Sequence, residues 1–319
     1  MTLARPPCWL HCCSDVTLGE LRAKFVASKG GDGSSRIELD QQGEAGPARP
    51  VHRTDGYLAL RDYAVIGDGR TAALVGRDGS IDWLALPNLD SPTVFAAVLD
   101  AKVGGRFSLH PEQSFRVARR YLPDTNVLET IFVTGSGAVR VTDALTLSDD
   151  ATLSPARELQ RRIDGLAGSV ALRWNVQPRF GYGAHAPRLS WRAGVAVAAH
   201  RSAAVAVSTW DAAAPKIDKG TIGGRFSVGE GDTALLALTF ADQEPLVLPS
   251  QADCDTRMAG TVTAWRDWTM RCTAPARWRE AVLRSALAIK LLVFAPSGAV
   301  AAAVTSSLPE RIGGERNWD

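Results

Sequence analysis

The sequence predicts a mainly β protein, in which an antiparallel β-sandwich is followed by helices. Between residues 57 and 245, short β-compatible runs alternate with turn residues, and no long helical stretch interrupts them. This pattern is typical of a sandwich. After Pro249, the spacing of the apolar residues changes from that of a strand to that of a helix. We therefore expect residues 56–250 to form the β-sandwich domain.

Composition sets broad limits on function. The chain has 319 residues, of which 45% are hydrophobic and 22% are charged, as in ordinary globular proteins. The 36 basic and 34 acidic residues leave a net charge of +2. Because the charges are nearly balanced, nothing indicates nucleic acid or an anionic membrane as a partner.

Residues 1–55 differ from the rest and are predicted to be a disordered leader, because their Gly, Ser and Gln clusters are typical of loops. Cys8, Cys12 and Cys13 form a cluster, but His11 is the only other candidate ligand before residue 50. We therefore expect no metal site and no cofactor. The chain has no apolar run long enough for a membrane span and no signal-peptide stretch, so the predicted location is cytoplasmic.

The clearest hairpin joins residues 71–75 to residues 80–86. Asp78 and Gly79 lie between these runs, and an Asp-Gly pair is a strong turn signal because glycine tolerates positive φ. Further strands are predicted at 127–133, 138–143, 159–163, 170–176, 195–199, 204–210, 226–228 and 233–240.

Two helices are predicted after the strands. Residues 252–270 carry apolar side chains at helical spacing and form a linker helix within 251–275. The second helix spans 276–294, and apolar side chains cover so much of it that we expect several partner helices around it. Leu283, Leu287 and Leu291 form one of its apolar stripes. We expect these leucines to be uncovered in this chain and to promote self-association.

Two kinds of catalytic or cofactor motif are not supported by the sequence. Gly67 and Gly69 match the start of a dinucleotide fingerprint, but the turn at Asp78 leaves no room for the helix that the fingerprint requires. A tight β-turn is therefore the preferred interpretation. No pair of carboxylates is assigned as acid and base among the candidates Asp62, Asp68, Asp82, Asp90, Glu129, Asp143, Glu310 and Glu315.

Three separated stretches agree in order with one family. The first, DYAVIGDGRTAALVGRDGSIDWL at 62–84, has PNLDSP at 87–92 close behind it; RSALAIKLL follows at 284–292, and TSSLPE at 305–310 precedes GGERNWD at 313–319. Together they resemble glycoside hydrolase family 15, the bacterial glucoamylase- and trehalase-like enzymes. The resemblance covers about residues 57–319 and leaves out the leader.

The resemblance implies an N-terminal β-sandwich, a linker helix and an (α/α)6 barrel in which two carboxylates hydrolyse α-glucosides, such as trehalose, with inversion. Residues 276–319 would then be the truncated start of that barrel. The implied substrate-binding residues are Arg316, Asn317, Trp318 and Asp319, and no catalytic residue is assigned. Trp318 is also suited to a packing role, with Glu310 and Arg316 as a pair that holds the loop.

Two functional hypotheses follow. In the first, the chain is the N-terminal part of a trehalase- or glucoamylase-type hydrolase and is inactive alone, because the family's catalytic glutamates lie beyond residue 319. In the second, the chain is a stand-alone β-sandwich module that binds carbohydrate or docks onto a separate catalytic chain.

Overall fold

The computed structural model describes residues 50–147 and 157–305, together with the backbone of two short strands before them. Its strands are β1 (Ser28–Lys29), β2 (Ser35–Arg36), β3 (Tyr63–Gly67), β4 (Ala72–Gly76), β5 (Ser80–Ala85), β6 (Thr93–Phe95), β7 (Arg106–Pro111), β8 (Arg116–Tyr121), β9 (Leu128–Val133), β10 (Gly137–Leu145), β11 (Glu158–Gln177), β12 (Arg188–Arg192), β13 (Val195–His200), β14 (Ala203–Trp210), β15 (Lys216–Asp218), β16 (Thr221–Gly229) and β17 (Thr233–Asp242). Its α-helices are α1 (Gln251–Met270) and α2 (Arg279–Leu292).

The strands after β2 form two antiparallel layers that share β11. The first layer has the order β8-β9-β10-β11-β17-β14-β13-β12, and the second has the order β15-β16-β11-β7-β5-β4-β3, with β6 beside β5. Side chains of both layers meet in one buried cluster, to which Ile81 and Phe107 contribute from the second layer and Val141 and Ile163 from the first. The predicted mainly β fold is therefore confirmed.

Strand β11 departs from the prediction. The sequence predicted separate strands at 159–163 and 170–176, whereas the structure has one strand of 20 residues. Its first part pairs with β10 and β17, and its second part pairs with β16 and β7. A Cβ on Gly165 would lie 1.8 Å from the Gly229 carbonyl oxygen, so the strand passes between the layers at a point where no side chain fits.

The predicted hairpins are confirmed. Strands β4 and β5 pair across a turn in which Gly79 has φ +82°, and a Cβ there would lie 2.0 Å from the Leu109 carbonyl oxygen. Strands β9 and β10, and β13 and β14, also form antiparallel pairs. The β-turn preferred over a dinucleotide site is also present, because β3 pairs directly with β4.

Helix α1 lies on the outer side of the first layer. It begins with a capping box, in which the Ser250 hydroxyl accepts from the Asp253 N–H and the Asp253 carboxylate accepts from the Ser250 N–H. Val262 and Trp265 pack against Ala144 of β10. Within residues 50–147 and 157–305, no helix has the length and apolar character needed to cross a bilayer.

Candidate functional site

Helix α2 packs against the sandwich near the end of the described chain. The surface that it packs on includes Gly67, Asn126 and Val127 and is called the α2 seat. Leu283, Leu287 and Leu291 are each at most 3% exposed. Leu287 and Leu291 share a buried cluster with Val127 and with Trp265 of α1. The expectation that this leucine stripe is uncovered was therefore wrong, because the sandwich and α1 cover it.

The other apolar stripe of α2 remains open. Trp278 is 57% exposed, Val282 39% and Ile289 59%. These positions lie on one face because they follow helical spacing. The exposed apolar surface of this helix is therefore formed by these residues and not by the leucines.

A polar clamp holds α2 in its seat. The buried Asn126 side-chain amide donates to the Leu287 carbonyl oxygen at 3.1 Å. The Arg284 guanidinium donates to the Thr125 carbonyl oxygen at 2.9 Å and to the Asn126 amide oxygen. It also lies 4.0 Å from the Tyr121 ring centre, a cation–π arrangement. Burial lowers the pKa of Arg284, and the accepting oxygens compensate its charge.

Sequence reasoning missed this clamp, although a signal was present. Arg284 lies three residues before Leu287 and seven before Leu291, so all three share a helix face. A charged side chain within a buried stripe needs acceptors. The acceptors lie in the β8–β9 loop, more than 150 residues away in the chain. The helical pattern alone could therefore not identify them.

The β3–β4 turn receives the end of α2. A Cβ on Gly67 would lie 2.8 Å from Leu291 Cδ2 and 2.9 Å from the Thr71 carbonyl oxygen. The Ala295 N–H donates to the Gly69 carbonyl oxygen at 2.7 Å. The turn that superficially matched a nucleotide fingerprint therefore serves as a docking surface for the helix.

Asp68 fixes the shape of that turn. Its carboxylate accepts from the Arg70 and Thr71 N–H groups, both at 2.8 Å. Burial raises the pKa of Asp68, while these hydrogen bonds act in the opposite direction. Through these two hydrogen bonds, the Asp68 carboxylate stabilises the β3–β4 turn.

Buried carboxylates elsewhere are paired with arginines. Asp143 and Arg161 are fully buried, and their atoms approach to 2.8 and 3.2 Å. Glu129 contacts Arg120 at 2.7 Å. These pairs give the carboxylates structural roles.

Asp82 and Glu158 follow the same pattern. Asp82 accepts from the Tyr63 hydroxyl at 2.6 Å and lies 2.9 Å from Arg53, which ties the start of the described chain to the sandwich. Glu158 contacts Arg257 of α1 at 2.6 Å.

Two histidines that lie 15 residues apart in the sequence come together. The rings of His185 and His200 stack with their centres 4.4 Å apart and their planes 9° apart, and the Phe180 ring stacks with His200 at a centre distance of 5.9 Å. Burial lowers the pKa of His200, and His185 adds to that shift. The pairing joins the β11–β12 loop to the β13–β14 hairpin, so sequence spacing did not reveal it.

The segment after α2 leads toward the predicted sugar loop. The Ala301 N–H donates to the Leu292 carbonyl oxygen at 2.8 Å, and Val293 bridges Val300. Thr305 is 7% exposed. The predicted substrate-binding residues, Arg316, Asn317, Trp318 and Asp319, lie outside the described residues, as do Cys8, Cys12, Cys13, Glu310 and Glu315.

Comparison with known proteins identifies the sandwich. Residues 57–209 match the family described as "Trehalase-like, N-terminal". The chain carries a trehalase-like N-terminal domain. The matched range contains β3 to most of β14, and β17 lies outside it although it pairs with both β11 and β14. Strands beyond the match therefore complete the first layer of the trehalase-like domain.

Curated relatives point to the same family. The chain is 33% identical to the trehalase of Mycobacterium tuberculosis over 82% of this chain and 42% of that protein. It is 34% identical to the trehalase of Mycolicibacterium smegmatis, again over 82% and 42%. The trehalase of Thermoplasma volcanium is 31% identical over 83% of this chain and 42% of its own length. The chain thus spans less than half the length of these relatives.

Solved structures match as well, and one of them is a putative kojibiose phosphorylase from the human microbiome, with a TM-score of 0.30 and 8% identity over 72% of this chain and 30% of that chain. This likeness is too weak to bear on fold or function.

Proposed function

We propose that this chain supplies the N-terminal β-sandwich, the linker helix and the first catalytic-domain helix of a trehalase- or glucoamylase-type hydrolase that cleaves α-glucosides such as trehalose. The seat of α2 carries the proposal. Because Gly67, Asn126 and Leu291 fix the helix on the sandwich, the segment that follows starts from a defined position. The relatives named trehalase support the assignment.

In such a hydrolase, one carboxylic acid protonates the leaving oxygen and a carboxylate activates water on the opposite face. The proposed contribution of this chain is to bind the sugar. Trp318 would pack against an apolar sugar face, and Arg316, Asn317 and Asp319 would exchange hydrogen bonds with its hydroxyls.

Trehalose binding to the purified chain tests this contribution. Saturation-transfer NMR should give a trehalose signal that weakens in Trp318→Ala. Trp191→Ala is the matched control, because Trp191 is 51% exposed on β12. A signal that is equal in both variants, or absent from the parent chain, would contradict the proposed sugar contact.

We further propose that the chain alone does not hydrolyse α-glucosides. The pairing of Asp82, Asp143, Glu129 and Glu158 with arginines supports this, because these carboxylates are held in ion pairs and are not placed as two free groups on either side of a substrate. Purified protein would be incubated with trehalose and maltooligosaccharides, and glucose would be followed. Robust release of glucose would overturn the proposed inactivity.

The open stripe of α2 is the proposed contact surface for the remaining helices of the hydrolase, and without them it would promote self-association. Ile289→Lys should lower light scattering by the chain. Leu60→Lys is the control, because Leu60 is 75% exposed at a distant position in the sequence. Equal scattering by both variants would count against this role.

The second candidate is a stand-alone carbohydrate-binding or docking module, favoured by the polar cleft described below. Reading the downstream DNA separates the two candidates. In glycoside hydrolase family 15, the stretch that resembles residues 305–319 continues into a Tyr-Arg-x-x-Trp-x-Arg-Asp segment that grips the terminal sugar. A continuation, in frame or frameshifted, that encodes this segment supports the hydrolase, whereas its absence favours the module.

A further inference from the structure

A cleft of about 500 Å³ lies where β15, β16 and β11 run side by side. This volume falls within the usual range for small-molecule sites. The neighbouring side chains of Trp174 and Ile222 are buried in the core, so the alternate positions on these strands face outward. The cleft therefore opens on the outer surface of the second layer, on elements other than the α2 seat.

Two glycines form the floor of the cleft. Gly223 of β16 pairs with Asn175 on one side and Lys216 on the other. Since Gly223 has no side chain, the space between those two polar residues stays open. Gly224 covers the Trp174 indole, where a Cβ would lie 2.7 Å from Nε1.

Asn175 supplies an unused acceptor beside this floor. Its Oδ1 atom is buried and has no hydrogen-bond partner, and it lies 3.7 Å from the position that a Gly223 Cβ would occupy. An unpaired buried acceptor is unfavourable. Rotation of the amide toward a ligand hydroxyl would break no hydrogen bond of Oδ1 and would gain one.

Charged groups of both signs flank the floor. Arg173 and Arg225 are directly opposite each other, an arrangement that is unfavourable without a counter-charge. Glu112 supplies it, at 3.4 Å from Arg173 and 3.1 Å from Arg225. Asp218 also lines the cleft. Two guanidinium donors therefore share one carboxylate acceptor, at 3.4 Å and 3.1 Å, and a second carboxylate, that of Asp218, lines the same cleft.

We propose that this cleft binds a neutral saccharide. A sugar hydroxyl both donates and accepts hydrogen bonds, which matches a lining that holds both donors and acceptors. The methyl groups of Ala213 and Ala214 line the cleft and offer apolar contacts for sugar C–H groups. Glu112 pairs with both Arg173 and Arg225, and Asp218 lines the cleft, so the positive charge offered to an anionic ligand is reduced. The proposed site includes none of residues 316–319 and has no part in hydrolysis.

Saturation-transfer NMR on the full chain tests the proposal, with trehalose and maltotriose as probes. Measuring in a Trp318→Ala background separates this cleft from the proposed sugar loop. Asn175→Ala and Arg225→Gln should each weaken binding about three- to tenfold, the effect of losing one hydrogen bond. Arg192→Gln should bind as well as the background protein, because Arg192 is exposed on β12, outside the cleft.

Urea unfolding of each variant would establish that it folds, and Arg225→Gln is the safer variant because Arg225 is largely exposed. Three results would overturn the proposal: no binding of either sugar, equal binding by the cleft variants and Arg192→Gln, or binding of glucose 6-phosphate or inorganic phosphate without binding of the neutral sugars. The last result would indicate an anion site.

Discussion

Leu291 of α2 occupies the space that a side chain at Gly67 would need, since a Cβ there would lie 2.8 Å from Leu291 Cδ2. Gly67→Ala should therefore displace the end of the helix and lower the free energy of unfolding by about 1–3 kcal/mol, as overpacking does. Gly135→Ala is the control, because a Cβ there meets nothing within 4 Å. Urea unfolding measures both variants, and equal stability would contradict this role for Gly67.

The two faces of α2 should respond differently to truncation. Leu287 is 2% exposed and Ile289 is 59% exposed. Leu287→Ala should cost about 2–5 kcal/mol of unfolding free energy, whereas Ile289→Ala should change it by less than about 0.5 kcal/mol. Equilibrium urea unfolding compares them. Similar losses at both positions would mean that the helix is not seated as described.

Asn126 should be a strong contributor to the clamp. Asn126→Ala leaves the Leu287 carbonyl without its side-chain donor and removes one acceptor from Arg284. We expect a loss of about 1–3 kcal/mol in unfolding free energy, the usual result of leaving a buried polar group unpaired. Gln113→Ala, an exposed residue that contacts the Ser136 hydroxyl, should be nearly neutral in the same assay.

The stacked histidines should make stability depend on pH. The pKa of folded His200 lies below its ordinary value of about 6.5, so the unfolded chain binds the extra proton more readily. The contribution of neutral His200 to the free energy of unfolding is present above about pH 6.5 and is lost as the pH falls through the pKa of the folded state. His200→Phe should flatten this part of the stability profile, whereas exposed His52→Gln should retain it.

Cys254 should resist alkylation in the native protein. It is fully buried beside Glu158, and burial together with that carboxylate raises the pKa of its thiol to about 12. The thiolate is the reactive form, so iodoacetamide at pH 8 should label the half-buried Cys272 sooner. Peptide mass mapping resolves the two sites. Rapid labelling of Cys254 without urea would contradict its buried position.

Local patterns were sufficient for much of the architecture. The Asp78-Gly79 hairpin and the helix over 252–270 could be predicted because turn chemistry and apolar periodicity act between near neighbours. The same patterns divided β11 into two strands. Its continuity depends on partners in both layers, which periodicity along one segment does not specify.

The sequence by itself determined the fold class and the change from strands to helices, because these depend on residues close together in the chain. It also determined the family resemblance, because each of the three matching stretches is a local motif and their order can be read along the chain. Only the tertiary structure decided which face of α2 is covered, which acceptors hold Arg284, and where His185 and His200 meet. The physical reason is that burial and hydrogen bonding depend on surfaces that are distant in the chain. Leu291 packs against Gly67, and Arg284 donates to Asn126, and neither partner can be identified from the residues near the helix.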